Sequence, residues 1–162
     1  MTMRIVVMGV SGCGKSTVGR LLAEKLDAKF IDGDDLHPAE NKAKMAAGIP
    51  LNDDDRWPWL DKVANELSAS DAIVIACSAL KRSYRERIIS GATGTIFIHL
   101  EGTPELLAER MSGRSGHFMP TSLLESQLKT LEPLQFDEPG RVVSIDQTVN
   151  QIVDRCIEFI RE

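Results

Sequence analysis

The 162-residue chain has no apolar run approaching the eighteen or more residues needed to span a bilayer, and its N-terminus, MTMRIVV, lacks the longer apolar stretch and small-residue cleavage site of a secretory signal. A cytoplasmic protein with no membrane partner is the expectation. Cysteine is scarce and scattered: Cys13, Cys77 and Cys156 are odd in number, far apart and match no zinc spacing. Reduced thiols are expected in place of a disulfide framework or a zinc site. Basic charge is in deficit, with 19 Lys and Arg against 24 Asp and Glu for a formal net charge of −5, which argues against a general nucleic-acid binder. There is no low-complexity tract or internal repeat, and 43% hydrophobic with 27% charged residues sets disorder and solenoids aside. The length suits one domain over residues 1–162 with a core of its own. An anionic substrate would need local cations, and two groups exist: Lys81, Arg82, Arg85 and Arg87 in one segment, Arg110 and Arg114 in another.

What is present is an alternation of short apolar runs and longer amphipathic segments. The pattern predicts strands at Arg4–Met8, Lys29–Ile31, Ala72–Ala76, Thr95–Leu100 and Arg141–Ile145. It predicts helices at Ser16–Leu26, Pro38–Ala47, Arg56–Ser68, Tyr84–Ile89, Pro104–Met111 and Val149–Ile160. Asp53 to Asp55 form an acidic turn suited to a helix N-terminus, and Thr103 before Pro104 reads as an N-cap. Nearly continuous apolar strands alternating with helices imply an α/β fold, a parallel sheet covered on both faces.

The first strand runs into MGVSGCGKST, where Gly9 to Ser16 fits G-x-x-x-x-G-K-[ST] at every fixed position, with a strand before it and a helix after it. Glycines let successive backbone N–H groups turn inward, and the helix N-terminus adds a positive dipole end, so the loop is a nest for phosphate oxygens. Lys15 would reach the β- and γ-phosphates, and Ser16 would offer a hydroxyl to Mg2+. Gly9, Ser11, Gly12, Cys13, Gly14, Lys15, Ser16 and Thr17 are therefore the expected nucleotide-binding set.

A phosphate nest does not name a reaction. A guanine-reading N-K-x-D is missing from the late part of the chain, since Asn41-Lys42-Ala43-Lys44 ends in lysine and comes too early. The third strand ends in the small residues Ala76-Cys77-Ser78 where switch and motor proteins place a metal-binding acid. The acidic role moves to Asp32-Gly33-Asp34-Asp35, beyond the second strand and so at the carboxyl edge of the sheet with the phosphate loop. Phosphoryl transfer to an alcohol needs a group that orients the hydroxyl and accepts its proton. Asp34 is the candidate, with Asp32 near the metal through water; the competing reading is a solvated turn that caps the next helix. His37 has two readings as well, substrate contact or an ordering role in the turn.

The phosphate loop, DGDDLHPAENKAKMAAGIPLNDDDRWPWL (residues 32–60), CSALKRSYRERI (77–88) and GRSGHFMPTSLLESQLKTLEPL (113–134) carry a resemblance to the gluconate kinase (gluconokinase) family. The loop alone is generic, but LHP, N-x-x-K-M, G-x-P-L-x-D-x-D-R and C-S-A-L-K in one chain are specific, and the likeness covers nearly the whole sequence. It implies transfer of the γ-phosphate of ATP to the 6-hydroxyl of D-gluconate, with Mg2+. It also implies the nucleoside-monophosphate-kinase-like fold, a five-stranded parallel sheet in order 2-3-1-4-5, and a homodimer.

Gluconate carries one carboxylate and a row of hydroxyls, and Arg56, Lys81 and Arg85 would supply a carboxylate clamp, because guanidinium forks match carboxylates in bidentate geometry. For Arg85 a surface ion pair is the alternative, and for Trp57 and Trp59 the usual fate of burial stands beside any role near the substrate. Residues 111–120, with Arg114, His117 and Phe118, read as a mobile lid that excludes water and brings Arg110 and Arg114 onto the transferring phosphoryl group, by analogy with related kinases; a passive surface loop is the other reading.

Overall fold

Five apolar segments make one parallel sheet: β1 (Met3–Met8), β2 (Lys29–Asp32), β3 (Ala72–Ala76), β4 (Ile96–Glu101) and β5 (Gly140–Ser144). The computed structural model describes residues 2–112 and 121–162. Its strand order is β2-β3-β1-β4-β5, the order implied by the resemblance. The helices are α1 (Lys15–Leu26), α2 (Ala39–Ala46), α3 (Asp53–Ser68), α4 (Arg82–Gly91), α5 (Pro104–Ser112), α6 (Thr121–Thr130) and α7 (Val149–Ile160), with a 3-10 turn at Gly33–Leu36.

The continuous apolar strands divide by alternation. Ile5 and Val7 of β1 face a core with Val18 and Leu22 of α1 and Ile152, Val153 and Cys156 of α7. Val6 and Met8 face the other layer, with Trp59, Leu60, Val63 and Leu67 of α3 and Ile88 of α4. From Ile5 to Met8 both faces of β1 are at 0% exposure, the condition that allows those four positions to be apolar without a break. Among the described residues no helix is long and apolar enough to cross a membrane, and all three cysteines are buried and unpaired.

Two helices start two or three residues earlier than their hydrophobic pattern predicts, for reasons visible in their caps. α3 begins at Asp53 because Asn52 accepts from the Asp55 N–H while the Asp55 carboxylate accepts from the Asn52 N–H, a capping box that draws the acidic triplet into the first turn. α4 begins at Arg82 because its first amide donates to the Glu132 carboxylate at 3.0 Å, a cap supplied from fifty residues away. The register puts Asp32 opposite Ala76, Ala76 opposite Val7, and Met8 opposite His99, so the loops that follow β1, β2 and β3 leave the sheet at one edge.

Candidate active site

The loop after β1 runs through Gly9, Gly12 and Gly14 with φ of +146°, +86° and +90°, conformations that only glycine adopts without strain. It delivers the chain to α1, whose N-cap Gly14 offers no side-chain hydrogen bond and whose first turn holds no acid. By contrast α3 and α7 close their N-termini with capping boxes. The first amides of α1 are thus left for an anion. Lys15 lies folded across the loop, with Nζ donating to the Val10 carbonyl at 3.2 Å. On the next residue, the Ser11 N–H donates to Oε1 of Gln127, from α6, at 2.6 Å.

Beside α1, the Ser16 hydroxyl donates to Oδ2 of Asp32 at 2.9 Å, while Oδ1 of Asp32 accepts from the Asp34 N–H at 3.0 Å. One carboxylate thus joins the phosphate loop to the acidic turn. That turn lies close against the end of β3, because a Cβ on Gly33 would lie 2.5 Å from the Ala76 carbonyl oxygen. Small residues after β3 are needed for this approach. Asp34 stays open to solvent on one side with protein behind it. Its pKa is raised, first by burial and then by the Asp32 carboxylate, with Asp35 adding and Lys15 opposing. Burial pushes the nearby Cys77 thiol up to about 12, so it is no nucleophile.

A second polar cluster, holding the expected acceptor contacts Arg56 and Lys81, gathers around Asp53. Arg56 Nη1 donates to Asp53 Oδ1 at 3.4 Å and to the Tyr84 hydroxyl at 3.2 Å; the hydroxyl itself donates to Asp53 Oδ1 at 2.5 Å. Lys81 Nζ stands 3.7 Å from Asp53 Oδ2. Both cations also sit 5.6 Å from the Tyr84 ring centroid. The Tyr84 bond, followed by Lys81 and Arg56, holds the Asp53 carboxyl below its usual range. Tyr84, the chain's one tyrosine, is the organiser of this cluster, and sequence reading passed over it as an ordinary helix residue. Its spacing of three from Lys81 on the same helix start is the signal that was there to use.

Two expected acceptor contacts are placed elsewhere. The Arg85 side chain is at 0% exposure, with Nε and Nη2 on the Glu138 carboxylate at 2.7 and 3.0 Å and Nη1 on the Ala79 carbonyl at 2.9 Å. Its nitrogens are engaged in a buried tie to Glu138 and the Ala79 carbonyl, not in a surface ion pair. His37 is buried, stacked on Trp59 at 4.1 Å between ring centroids, with Nδ1 3.2 Å from the Asn41 amide nitrogen. Burial, then Arg56 and Lys42, pushes its pKa down to about 4. It orders the turn that carries Asp34. Trp59 is core, its indole N–H donating to the Gly33 carbonyl at 2.8 Å, and Trp57 packs edge-on against Tyr84.

On the outer flank of the phosphate loop a cavity of about 410 Å3 is lined by Gly12, Cys13, Thr17, Arg110, Val149 and Ile152. Arg110 is fixed over it by donating to the Ile145 carbonyl at 2.6 Å. Arg114, His117 and Phe118, and the expected lid from residue 113 onward, lie outside the described residues. Among the described residues no group of three or more His, Cys, Asp or Glu side chains could hold a metal on its own.

The sheet order, the bare helix N-terminus behind the glycine loop and the carboxylate bridging to an acidic turn define a P-loop kinase. The shikimate kinase family model matches residues 11–161. A probable gluconokinase of Xenopus tropicalis is 45% identical over 170 residues, covering 93% of this chain and 90% of that protein. The thermosensitive gluconokinase of Escherichia coli is 45% identical over 161 residues, covering 96% and 86%. Among solved structures, a gluconokinase from Sinorhizobium meliloti superposes with a TM-score of 0.88 at 47% identity, covering 98% of this chain and 95% of that one. The chain belongs to the gluconokinase family, within the wider shikimate kinase group that the family model describes.

Proposed function

We propose that this chain, as a single kinase domain, transfers the γ-phosphoryl group of ATP to the 6-hydroxyl of D-gluconate, giving 6-phospho-D-gluconate and ADP. The family membership, at 45% identity over more than nine-tenths of the chain, carries this reading. The residues supply its parts. The amides of the loop from Gly12 to Thr17 and the Lys15 ammonium hold the triphosphate. Adenine enters the cavity lined by Arg110, Val149 and Ile152, which offers a planar guanidinium and apolar side chains to a flat ring. Ser16 and Asp32 form a pair of hard oxygens that suits Mg2+, which takes one or two protein oxygens and leaves the rest of its shell to water and phosphate. Mg2+ when bound neutralises charge on the β- and γ-phosphates.

Arg56 and Lys81 receive the gluconate carboxylate, with Asp53 and Tyr84 setting their position. Asp34 takes the proton of the 6-hydroxyl as that oxygen forms its bond to the γ-phosphorus and the bond to ADP breaks. Arg114 is assigned to the transferring phosphoryl group on the resemblance alone. The same reading makes the enzyme cytoplasmic and homodimeric.

The test is ADP release from Mg-ATP with D-gluconate, beside matched reactions with shikimate, nucleoside monophosphates or no acceptor. Release with gluconate alone is expected. Release with a different acceptor alone would overturn the substrate, and acceptor-independent release would overturn the kinase reading.

A further inference from the structure

We propose that Gln127 is a positioning residue for phosphoryl transfer: it ties the phosphate loop to the acceptor clamp through the strap that follows α6. The proposal rests on the reading of the two subsites given above. The Val10–Ser11 peptide is held at both poles, its carbonyl by Lys15 Nζ at 3.2 Å and its N–H by Gln127 Oε1 at 2.6 Å. An N–H donor is met only by the oxygen of a side-chain amide, so the orientation of Gln127 is set. When Lys15 turns to the phosphates, the Val10 carbonyl loses its ammonium. Gln127 then remains as the side-chain hold on that peptide.

The other end of the strap is fastened within a few residues. The Glu132 N–H donates to the Leu80 carbonyl at 2.7 Å, and the Glu132 carboxylate accepts from the Arg82 N–H at 3.0 Å. These two partners flank Lys81, whose ammonium stands in the Asp53 cluster. Farther along, Arg82 holds Asp137 at 2.8 Å and Arg85 holds Glu138 at 2.7 Å. Between Gln127 and Glu132 lie only the last turn of α6 and Leu131, which packs against both apolar layers. A shift of the phosphate loop is thereby carried by packed, hydrogen-bonded chain to the cation that receives the acceptor.

The experiment measures gluconate affinity by calorimetry with and without Mg-ADP, together with kcat and KM, for the wild-type chain, Gln127→Leu, Gln127→Glu and Glu132→Ala. In the wild type Mg-ADP is expected to change the gluconate Kd by about fivefold or more. Gln127→Leu is expected to reduce that change to below about twofold and to lower kcat roughly 10- to 100-fold, with the nucleotide-free gluconate Kd nearly unchanged. Gln127→Glu keeps an oxygen for Ser11 and restores the coupling, at a raised KM for ATP because its charge repels phosphate. Glu132→Ala, at an exposed position, reproduces the loss of coupling from the far end. It decides the matter alone if Gln127→Leu fails to fold. A wild type without the nucleotide effect, or variants that retain it with full kcat, would overturn the proposal. A wild type that ignores gluconate overturns the substrate reading instead, and the same ratio is then read with the acceptor it does phosphorylate.

Discussion

In the proposed mechanism Asp34 must lose its proton to work, and it is placed where holding the charge is made harder. Its surroundings disfavour the anion through burial and the neighbouring Asp32, and Lys15 recovers only part of that. A raised pKa in the free chain moves the loss of the base to higher pH, so kcat/KM for gluconate is expected to fall on acidification with a midpoint above the ordinary carboxylate range. Asp34→Asn is expected to remove that acid limb and cut turnover by roughly 100-fold or more, while ATP affinity falls much less. Measuring kcat/KM against pH for both forms checks this, and a full-rate Asp34→Asn enzyme would take the residue out of the mechanism. At this scale the nearness of Ser16 to Asp32 was legible because the phosphate loop and the turn after β2 both leave the sheet at its carboxyl edge. Gln127 and Tyr84 escaped because their partners, Ser11 and Arg56, lie 116 and 28 residues away in the chain.

Between elements, the decisive contact is the Arg85–Glu138 pair, with the side chains at 0% and 5% exposure. Arg85 also holds the carbonyls of Ala79 and Leu80 at 2.9 and 3.3 Å, bracing a turn in which Ala79 has φ of +44°. A non-glycine residue in that region costs on the order of 1–2 kcal/mol and persists only when its neighbours enforce it. Arg85→Ala leaves the Glu138 carboxylate buried without its cation and is expected to cost about 3–5 kcal/mol, read as a lower urea midpoint. Arg85→Met combined with Glu138→Leu is expected to cost less than Arg85→Ala, since the buried charge is then gone from both sides. If Arg85 instead served the substrate, Arg85→Ala would raise the gluconate KM and leave the unfolding midpoint in place. The sequence offered Arg85 as a clamp member or a surface pair because its segment is rich in cations; its burial depends on the strap after α6, and nothing local to residues 77–88 announces that.

For the molecule as a whole, the strands and the crossing helices were legible because a parallel sheet covered on both faces demands unbroken apolar runs; the largest shift of a helix start, at α3, came from a reciprocal cap, and other ends that moved did so by one or two residues. α1, which follows the glycine loop, has no side-chain N-cap and no acid in its first turn, so its first amides suit an anion. A ligand that binds the folded chain and not the unfolded one stabilises it by about 2.7 kcal/mol at a hundredfold excess over Kd. For a chain of this size each kcal/mol is worth about 2–4 °C, so saturating Mg-ATP is expected to raise Tm by roughly 5–11 °C. Lys15→Ala should fold, because Lys15 holds only the Val10 carbonyl in the free protein. It should lose phosphoryl transfer and most of the nucleotide-dependent rise at the same concentration. A thermal melt of both forms with and without Mg-ATP decides it: no rise in the wild type would remove the phosphate nest, whereas an equal rise in Lys15→Ala would assign binding to the backbone amides and leave the lysine to the transfer step alone.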